Sequence, residues 1–174
     1  MLEVSSPKLS GLRHIGVHAK DPAVLAEFYR EVLGMQIVGG SEEDSPVGAS
    51  TFLSSRPEEE SHEIVFFANP DLAHAAFKVA SLADLRTLYR DIVERGVPIK
   101  TSVNHGVSLA FYFDDPEGNM IEVYWPTQLR YGQPYAHAID LTLEEEALLE
   151  DVAKLAAREG IAWTARRLRA SSPE

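Results

Sequence analysis

The sequence predicts an α+β fold in which two βαβββ modules pair into one cupped mixed sheet, followed by a helical C-terminal tail. Three observations carry this. The first is an internal repeat. Shifted by sixty residues, the chain matches itself: Leu12 on Leu72, His14 on His74, Ala23 on Ala83, Leu25 on Leu85, Tyr29 on Tyr89 and Arg30 on Arg90. Glu31 on Asp91 and Val32 on Ile92 are conservative pairs. An ungapped match of about twenty residues marks one supersecondary unit used twice. The second is the order of hydrophobic periods in each copy, alternating, then helical, then three short alternating runs. The third is that neither copy can bury a sheet face alone, so the two must pair.

Residues 1–10 read as a polar lead-in. Leu12 to His18 alternates around β-prone residues and predicts a strand. Asp21 caps a helix with Pro22 in its first position, and Gly34 ends it. Leu25, Phe28, Tyr29, Val32 and Leu33 recur at helical spacing and are expected to form a buried stripe. Strands follow at Met35–Val38, Ala49–Leu53 and Glu63–Phe67, with a charged loop from Arg56 to Glu60.

The second copy repeats the order. Leu72–Val79 is its strand, Ser81 with Asp84 resembles a capping box, and Leu85, Leu88, Tyr89, Ile92 and Val93 make the stripe that Gly96 stops. Strands are expected at Pro98–Thr101, Leu109–Phe113 and Met120–Trp125, the last two joined by the Asp115-Pro116-Glu117-Gly118-Asn119 turn. The domain thus spans 11–126, with modules at about 11–68 and 71–126. Residues 127–174 form an arm and a helical extension. In the arm stand Tyr131, Pro134, Tyr135 and His137. Thr142 with Glu145 predicts the start of an amphipathic helix, and a second helical stretch is expected at Ile161–Leu168. The tail is expected to pack on the domain or on a neighbouring subunit.

At 174 residues, 45% hydrophobic and 25% charged, the composition suits one folded domain with an appendage. No apolar run approaches the roughly 18 residues a membrane span needs. The first ten residues lack the basic and apolar regions of a secretory leader. Cysteine is absent, which excludes disulfides and thiolate chemistry and fits a cytoplasmic setting. A net charge of −11 repels nucleic acid and anionic lipid. A small molecule is the expected partner.

His14 and His74 occupy the same place in the two modules, which points to a metal between them. Glu122 is the only charge in the apolar run Met120-Ile121-Glu122-Val123-Tyr124-Trp125, and a buried carboxylate is costly unless paired or metal-bound. Aligning Ile64 with Ile121 sets Val65 opposite Glu122. The symmetric site would then hold two histidines and one carboxylate, with an apolar side chain where a fourth ligand could stand. Such a set, with open positions, is the arrangement of non-haem Fe(II) sites. It leaves a net +1, which favours an anionic chelating substrate. His18 lies four residues from His14, too far to join the same ion, and His137 is expected at the surface or an interface.

These motifs together resemble the vicinal-oxygen-chelate superfamily, and within it the extradiol catechol dioxygenases. The resemblance runs over about residues 10–126 and rests on four motifs. They are Leu12-Arg13-His14-Ile15-Gly16-Val17; Phe28-Tyr29-Arg30-Glu31-Val32-Leu33-Gly34-Met35; His74-Ala75-Ala76-Phe77-Lys78-Val79; and Asp115 to Tyr124. It implies metal ligation by His14, His74 and Glu122. It implies that His62, in Ser61-His62-Glu63-Ile64-Val65, stands beside the O₂ position. Tyr112, ten residues before Glu122, matches the family's active-site tyrosine. His105, in Asn104-His105-Gly106-Val107-Ser108, matches a further active-site histidine, although its spacing to Tyr112 is shorter than in the two-domain dioxygenases.

The implied chemistry is ring cleavage of a catechol-type aromatic diol by O₂, with Fe(II) as the cofactor and Mn(II) compatible. His62 would act as general acid, Tyr112 would hydrogen-bond the substrate, and His105 would hold or deprotonate a substrate hydroxyl. Phe66, Phe67, Phe77 and Trp125 are candidates for core or pocket walls. The alternatives in the same fold are a glyoxalase-like isomerase or lyase, an epimerase, a thiol transferase, and a metal-free drug-binding protein. The first two would want a fourth ligand where Val65 stands. A homodimer is expected, with the two modules closing one cup within a chain or exchanging with a second chain.

Overall fold

A computed structural model of the chain describes residues 9–127, 129, 131 and 133–158. Nine strands and three α-helices are found among them: β1 (Leu9–His18), α1 (Pro22–Leu33), β2 (Gln36–Ser41), β3 (Ser50–Ser54), β4 (Ile64–Phe67), β5 (His74–Val79), α2 (Leu82–Glu94), β6 (Ile99–Asn104), β7 (Ser108–Asp114), β8 (Met120–Pro126), β9 (His137–Ala138) and α3 (Glu145–Arg158). A 3₁₀ turn, Pro70–Leu72, precedes β5. The strands form one mixed sheet in the order β2-β3-β4-β1-β5-β8-β7-β6-β9. Each half is a βαβββ unit, and the halves meet where β1 runs antiparallel to β5. The two modules therefore close one sheet within a single chain.

Local chemistry places the helices as the sequence predicts. The Asp21 carboxylate accepts the Val24 N–H, Pro22 opens α1, and Gly34 ends it at φ +70° with its N–H on the Arg30 carbonyl. The Ser81 hydroxyl accepts the Asp84 N–H and donates to the Asp84 carboxylate at 2.6 Å, a side-chain variant of the capping box.

Each helix covers the outer face of its own half. Leu25, Ala26 and Tyr29 of α1 pack with Leu53, Ile64 and Phe66. On the other half, Leu82 and Leu85 share a larger cluster with Val79, Leu109, Phe111 and Trp125, and α3 adds Leu148, Leu149, Val152 and Ala156. The tail thus packs on its own domain. Phe66 and Trp125 are core, while Phe77 is half-buried. The inner face of the sheet holds Ala76, Ala110, Tyr112 and Tyr124 on one side and Phe52, Val65 and Phe67 on the other.

Three expectations need correction. The predicted helix stripes are only partly buried: Phe28, Val32 and Leu33 of α1 and Val93 at the end of α2 are exposed. Helix α1 meets the sheet through Pro22, Ala26 and Tyr29, and at about 100° per residue Phe28 and Val32 fall on the adjacent face. The polar lead-in ends sooner than expected, because Leu9 and Ser10 already belong to β1. The last helix starts at Glu145 rather than just after Thr142, because the Asp140 carboxylate takes both the N–H and the hydroxyl of Thr142. The helical stretch expected at Ile161–Leu168 lies outside the described residues. No helix among the described residues is long and apolar enough to cross a membrane.

Candidate active site

The strand pairing brings three ligand-type side chains to one point. β1 and β5 lie side by side at the centre of the sheet, and β8 runs parallel to β5. His14 Nε2 lies 3.2 Å from His74 Nε2 and 3.0 Å from Glu122 Oε2, and His74 Nε2 lies 3.3 Å from the same oxygen. His14 and Glu122 are buried, at 6% and 2% exposure. Among the described residues this is the one group of three that could hold a metal ion.

The donor set fits an ion. Three ligands held at right angles about 2.1 Å from a metal stand about 3.0 Å apart, close to the triangle found here. The tautomer of His74 agrees. A carbonyl can only accept, so His74 Nδ1 donates to the Leu72 carbonyl at 2.7 Å and leaves the Nε2 lone pair facing the triangle. Gly16 makes room for this ring, since a Cβ there would lie 2.7 Å from His74 Nδ1. Burial alone would raise the Glu122 carboxyl. The charges and hydrogen bonds of His14 and His74 outweigh that and hold it well below the usual range. His74 is raised in turn: burial opposes this, but its hydrogen bond to Glu122 and the carboxylate charge prevail.

The other predicted residues surround the triangle without joining it. His62 precedes β4 and lies tilted against His14 with ring centres 4.3 Å apart, and it meets Phe52 edge-on. Burial, then the neighbouring His14, hold its ring well below the ordinary histidine value. Tyr112 on β7 pairs in register with Glu122 on β8. Burial, reinforced by the Glu122 carboxylate, pushes its hydroxyl well above the ordinary value. His105 follows β6 and is bound to Tyr112, Nε2 to hydroxyl, at 2.8 Å. Its other nitrogen, Nδ1, donates to the Tyr135 carbonyl at 2.8 Å, so Nε2 is the acceptor and Tyr112 the donor. Burial lowers His105 as well. His18 is exposed at the end of β1, and His137 packs at a tilt against Tyr135 in the arm.

Together these groups form one end of a cavity of about 240 Å³. Its remaining wall is apolar, built from Phe52, Val65, Phe67, Leu72, Val103 and Met120. A wider, more polar cleft of about 660 Å³ reaches His14 and His62 from elsewhere, past Glu60, Lys78 and Tyr124.

Residues 11–123 match the family described as the Glyoxalase/Bleomycin resistance protein/Dioxygenase superfamily. The chain belongs to this superfamily. Among curated members, biphenyl-2,3-diol 1,2-dioxygenase 3 of Rhodococcus globerulus is 30% identical over 124 residues, covering 64% of this chain and 61% of that protein. A 1,2-dihydroxynaphthalene dioxygenase of Pseudomonas putida is 24% identical over 71% of this chain and 41% of its own length. Solved structures of other proteins share the fold. The 2,2',3-trihydroxybiphenyl 1,2-dioxygenase of Sphingomonas wittichii superposes with a TM-score of 0.59 at 20% identity, covering 73% of this chain and 46% of that one. An Mn(II)-bound glyoxalase from Novosphingobium aromaticivorans gives 0.57 at 19% identity, covering 76% and 43%. This chain spans less than two thirds of the length of each of these relatives, 61% of the first and under half of the others.

The superfamily match ends before the arm, and the arm is what sequence reasoning missed. Gln133, Pro134, Tyr135 and Ala136 line the cavity. The Gln133 side chain donates to the His105 carbonyl at 2.9 Å, while the Gln133 backbone carbonyl lies beside Gly39 of the first module. The arm thus ties the mouth of the cup from one half to the other. Hydrophobic period carries no trace of it. The cluster of Tyr131, Pro134, Tyr135 and His137 was its one signal, and it reads equally well as an ordinary loop.

Proposed function

We propose that this chain is an extradiol ring-cleaving dioxygenase that opens a catechol-type aromatic diol with O₂. The observation that carries this is the pairing of a three-ligand triangle with Val65, an apolar residue, at the position where a fourth ligand could stand. His14, His74 and Glu122 would hold Fe(II), or Mn(II), which share this preference for imidazole and carboxylate. Bound there, the ion would offer open positions to the two oxygens of a diol and to O₂, and would lower the pKa of the bound hydroxyls.

The protein's own groups are arranged for the rest. The Tyr135 carbonyl orients His105, His105 accepts the Tyr112 proton, and the Tyr112 oxygen is left as an acceptor for a substrate hydroxyl. His105 and His62 are held neutral by burial, so near pH 7 each stands in its base form; His62 would first take up a proton released by the bound diol and then return it as general acid. His62 lies between the dry cavity and the wider cleft, where it can exchange its proton with solvent. Phe52, Phe67 and Met120 exclude water from the ring and favour an uncharged, apolar-substituted diol. No Lys or Arg lines the cavity among the described residues.

The test is O₂ uptake with catechol and 2,3-dihydroxybiphenyl after anaerobic loading with Fe(II), followed by the absorbance of the yellow ring-opened product. Uptake with product formation is the expected outcome. A metal-loaded chain that consumes no O₂ with any diol would point instead to a glyoxalase-like isomerase. A chain that retains no metal would point to a binding protein.

A further inference from the structure

Gln133 closes a ring of hydrogen bonds between the arm and the His105 loop. Its side-chain amide donates to the His105 carbonyl at 2.9 Å, and its side-chain oxygen accepts the Tyr135 N–H at 3.4 Å. The Tyr135 carbonyl accepts His105 Nδ1–H at 2.8 Å. One side chain thus joins the backbones of two residues thirty apart in the chain. A glutamine suits this place because its amide donates from one end and accepts at the other. Its orientation follows from the partners, since a carbonyl can only accept and an N–H only donate. Behind His105 the loop is fixed by the core. The buried Asn104 side chain accepts the Gly106 N–H at 2.8 Å, and the buried Thr127 hydroxyl donates to the Gly106 carbonyl. Gly106 stands at φ +72°, where a Cβ would run into the Tyr131 ring. The far end of the arm is fixed by β9, where His137 pairs with Asn104. The Tyr135 carbonyl lies between these anchors, and Gln133 is the side chain that ties Tyr135 to His105.

The clamp decides the tautomer of His105. Which imidazole nitrogen carries the proton is set by the hydrogen bonds the ring makes. With the Tyr135 carbonyl in place the proton is on Nδ1, and Nε2 accepts from the Tyr112 hydroxyl at 2.8 Å. If that carbonyl moves away, Nδ1 loses its acceptor and the proton is free to shift to Nε2. The His105–Tyr112 bond then reverses, and Tyr112 turns its own proton outward instead of a lone pair. We propose that Gln133 is a positioning residue: it acts through Tyr135 to keep His105 protonated on Nδ1, and so sets the direction of the His105–Tyr112 hydrogen bond. Its consequence for turnover rests on the dioxygenase reading, whereas the tautomer does not. The superfamily match ends at residue 123, so this part of the machinery belongs to the arm and not to the matched region.

Nitrogen-15 NMR of the imidazoles in the full metal-free chain reads the tautomer without metal or diol. The His105 signals are assigned by their loss in His105→Gln. The parent should carry the His105 proton on Nδ1, and Gln133→Ala should move it wholly or partly to Nε2. Gln133→Met keeps the length of the side chain but neither hydrogen bond, so it should shift the proton in the same way. In the Fe(II)-loaded chain both variants should lose about 10–100-fold in kcat with a diol, with KM little changed and metal content unchanged. Position 133 is partly exposed, so circular dichroism and the unfolding temperature should hold. A His105 that keeps its proton on Nδ1 in both variants would overturn the proposal. So would a parent with the proton on Nε2, a Gln133→Met chain that behaves as the parent does, or a shifted tautomer that leaves kcat unchanged where the parent is active. A rise in KM alone would set Gln133 against substrate and overturn it too. A parent that consumes no O₂ with any diol, together with the expected tautomer shift, would remove the dioxygenase reading and leave the clamp standing.

Discussion

Val65 and Glu122 occupy the same place in the two halves of the sheet. Gly16 on β1 pairs in register with Val65 on the parallel strand β4. Sixty residues on, Ala76 on β5 pairs with Glu122 on the parallel strand β8. The same backbone position therefore bears a ligand-type carboxylate in one module and an apolar wall in the other. Both side chains are buried, at 1% and 2% exposure.

Restoring the symmetry should remove the open face. Val65→Glu is expected to bind metal at least as tightly as the parent and to lose about a hundredfold in diol-dependent O₂ uptake. Without metal the variant should unfold at a lower temperature, because a new buried carboxylate lacks a partner. Metal content, an O₂ electrode and thermal melts of loaded and metal-free protein decide it. Undiminished uptake would show that the fourth position is not needed by substrate.

His74→Ala and His62→Ala should separate binding from turnover. The first removes a triangle member and should leave no metal after desalting. The second removes a ring that lies against His14 without joining the triangle, so metal should stay while turnover falls about 10²–10⁴-fold, the usual worth of a general acid–base group. Loss of metal from His62→Ala would overturn that role.

Gly16→Ala tests the close approach of backbone to ligand. The added methyl would lie 2.7 Å from His74 Nδ1 and 3.0 Å from the Leu72 carbonyl that orients the ring. The ring must turn, and metal affinity should fall about 10–100-fold, as when a supporting partner of a ligand is lost. Titration with a competing chelator reads the affinity, and circular dichroism checks the fold. Unchanged affinity would mean that β1 yields to admit the methyl.

The metal-free chain should lose stability as the pH falls from 7 to 5. His62 and His105 are held below the ordinary histidine value. Their contribution is therefore complete above about pH 6.5 and declines as the unfolded chain takes up protons the folded one refuses. His74 is raised and acts oppositely: its contribution is complete below about pH 6.5 and is lost as the pH rises through its folded value. Two groups outweigh one, giving a net slope of about 1.4 kcal/mol per pH unit for each unbalanced proton. Glu122 adds a further loss only below about pH 4.3, where the unfolded carboxyl protonates. Urea melts across this range measure the slope, and His62→Gln should flatten it. A chain that gains stability on acidification would contradict the assignment.

The repeat made most of this legible in advance. The match of His14 to His74 fixed two equivalent strands, and the run around Glu122 exposed one charge that an apolar strand could not bury unpaired. Helix boundaries at Asp21, Gly34 and Ser81 followed from local hydrogen bonding, which a short stretch of chain contains in full. The start of α3 did not, because Asp140 competes for the groups of Thr142. The faces of α1 were also misjudged, since Phe28 and Leu25 differ in which side meets the sheet and not in hydrophobicity.

By itself, then, the sequence determined the twofold plan, the three ligand-type residues and the one position where the plan is broken. These are properties of residue type and spacing, which an internal repeat records directly. Tertiary structure decided what surrounds them. It set the tautomer of His105 through the Tyr135 carbonyl, thirty residues away, and closed the cavity with Gln133 of the arm. It also covered one outer helix and left its twin bare. Each of these depends on segments far apart in the chain meeting in space, and no periodicity encodes that meeting.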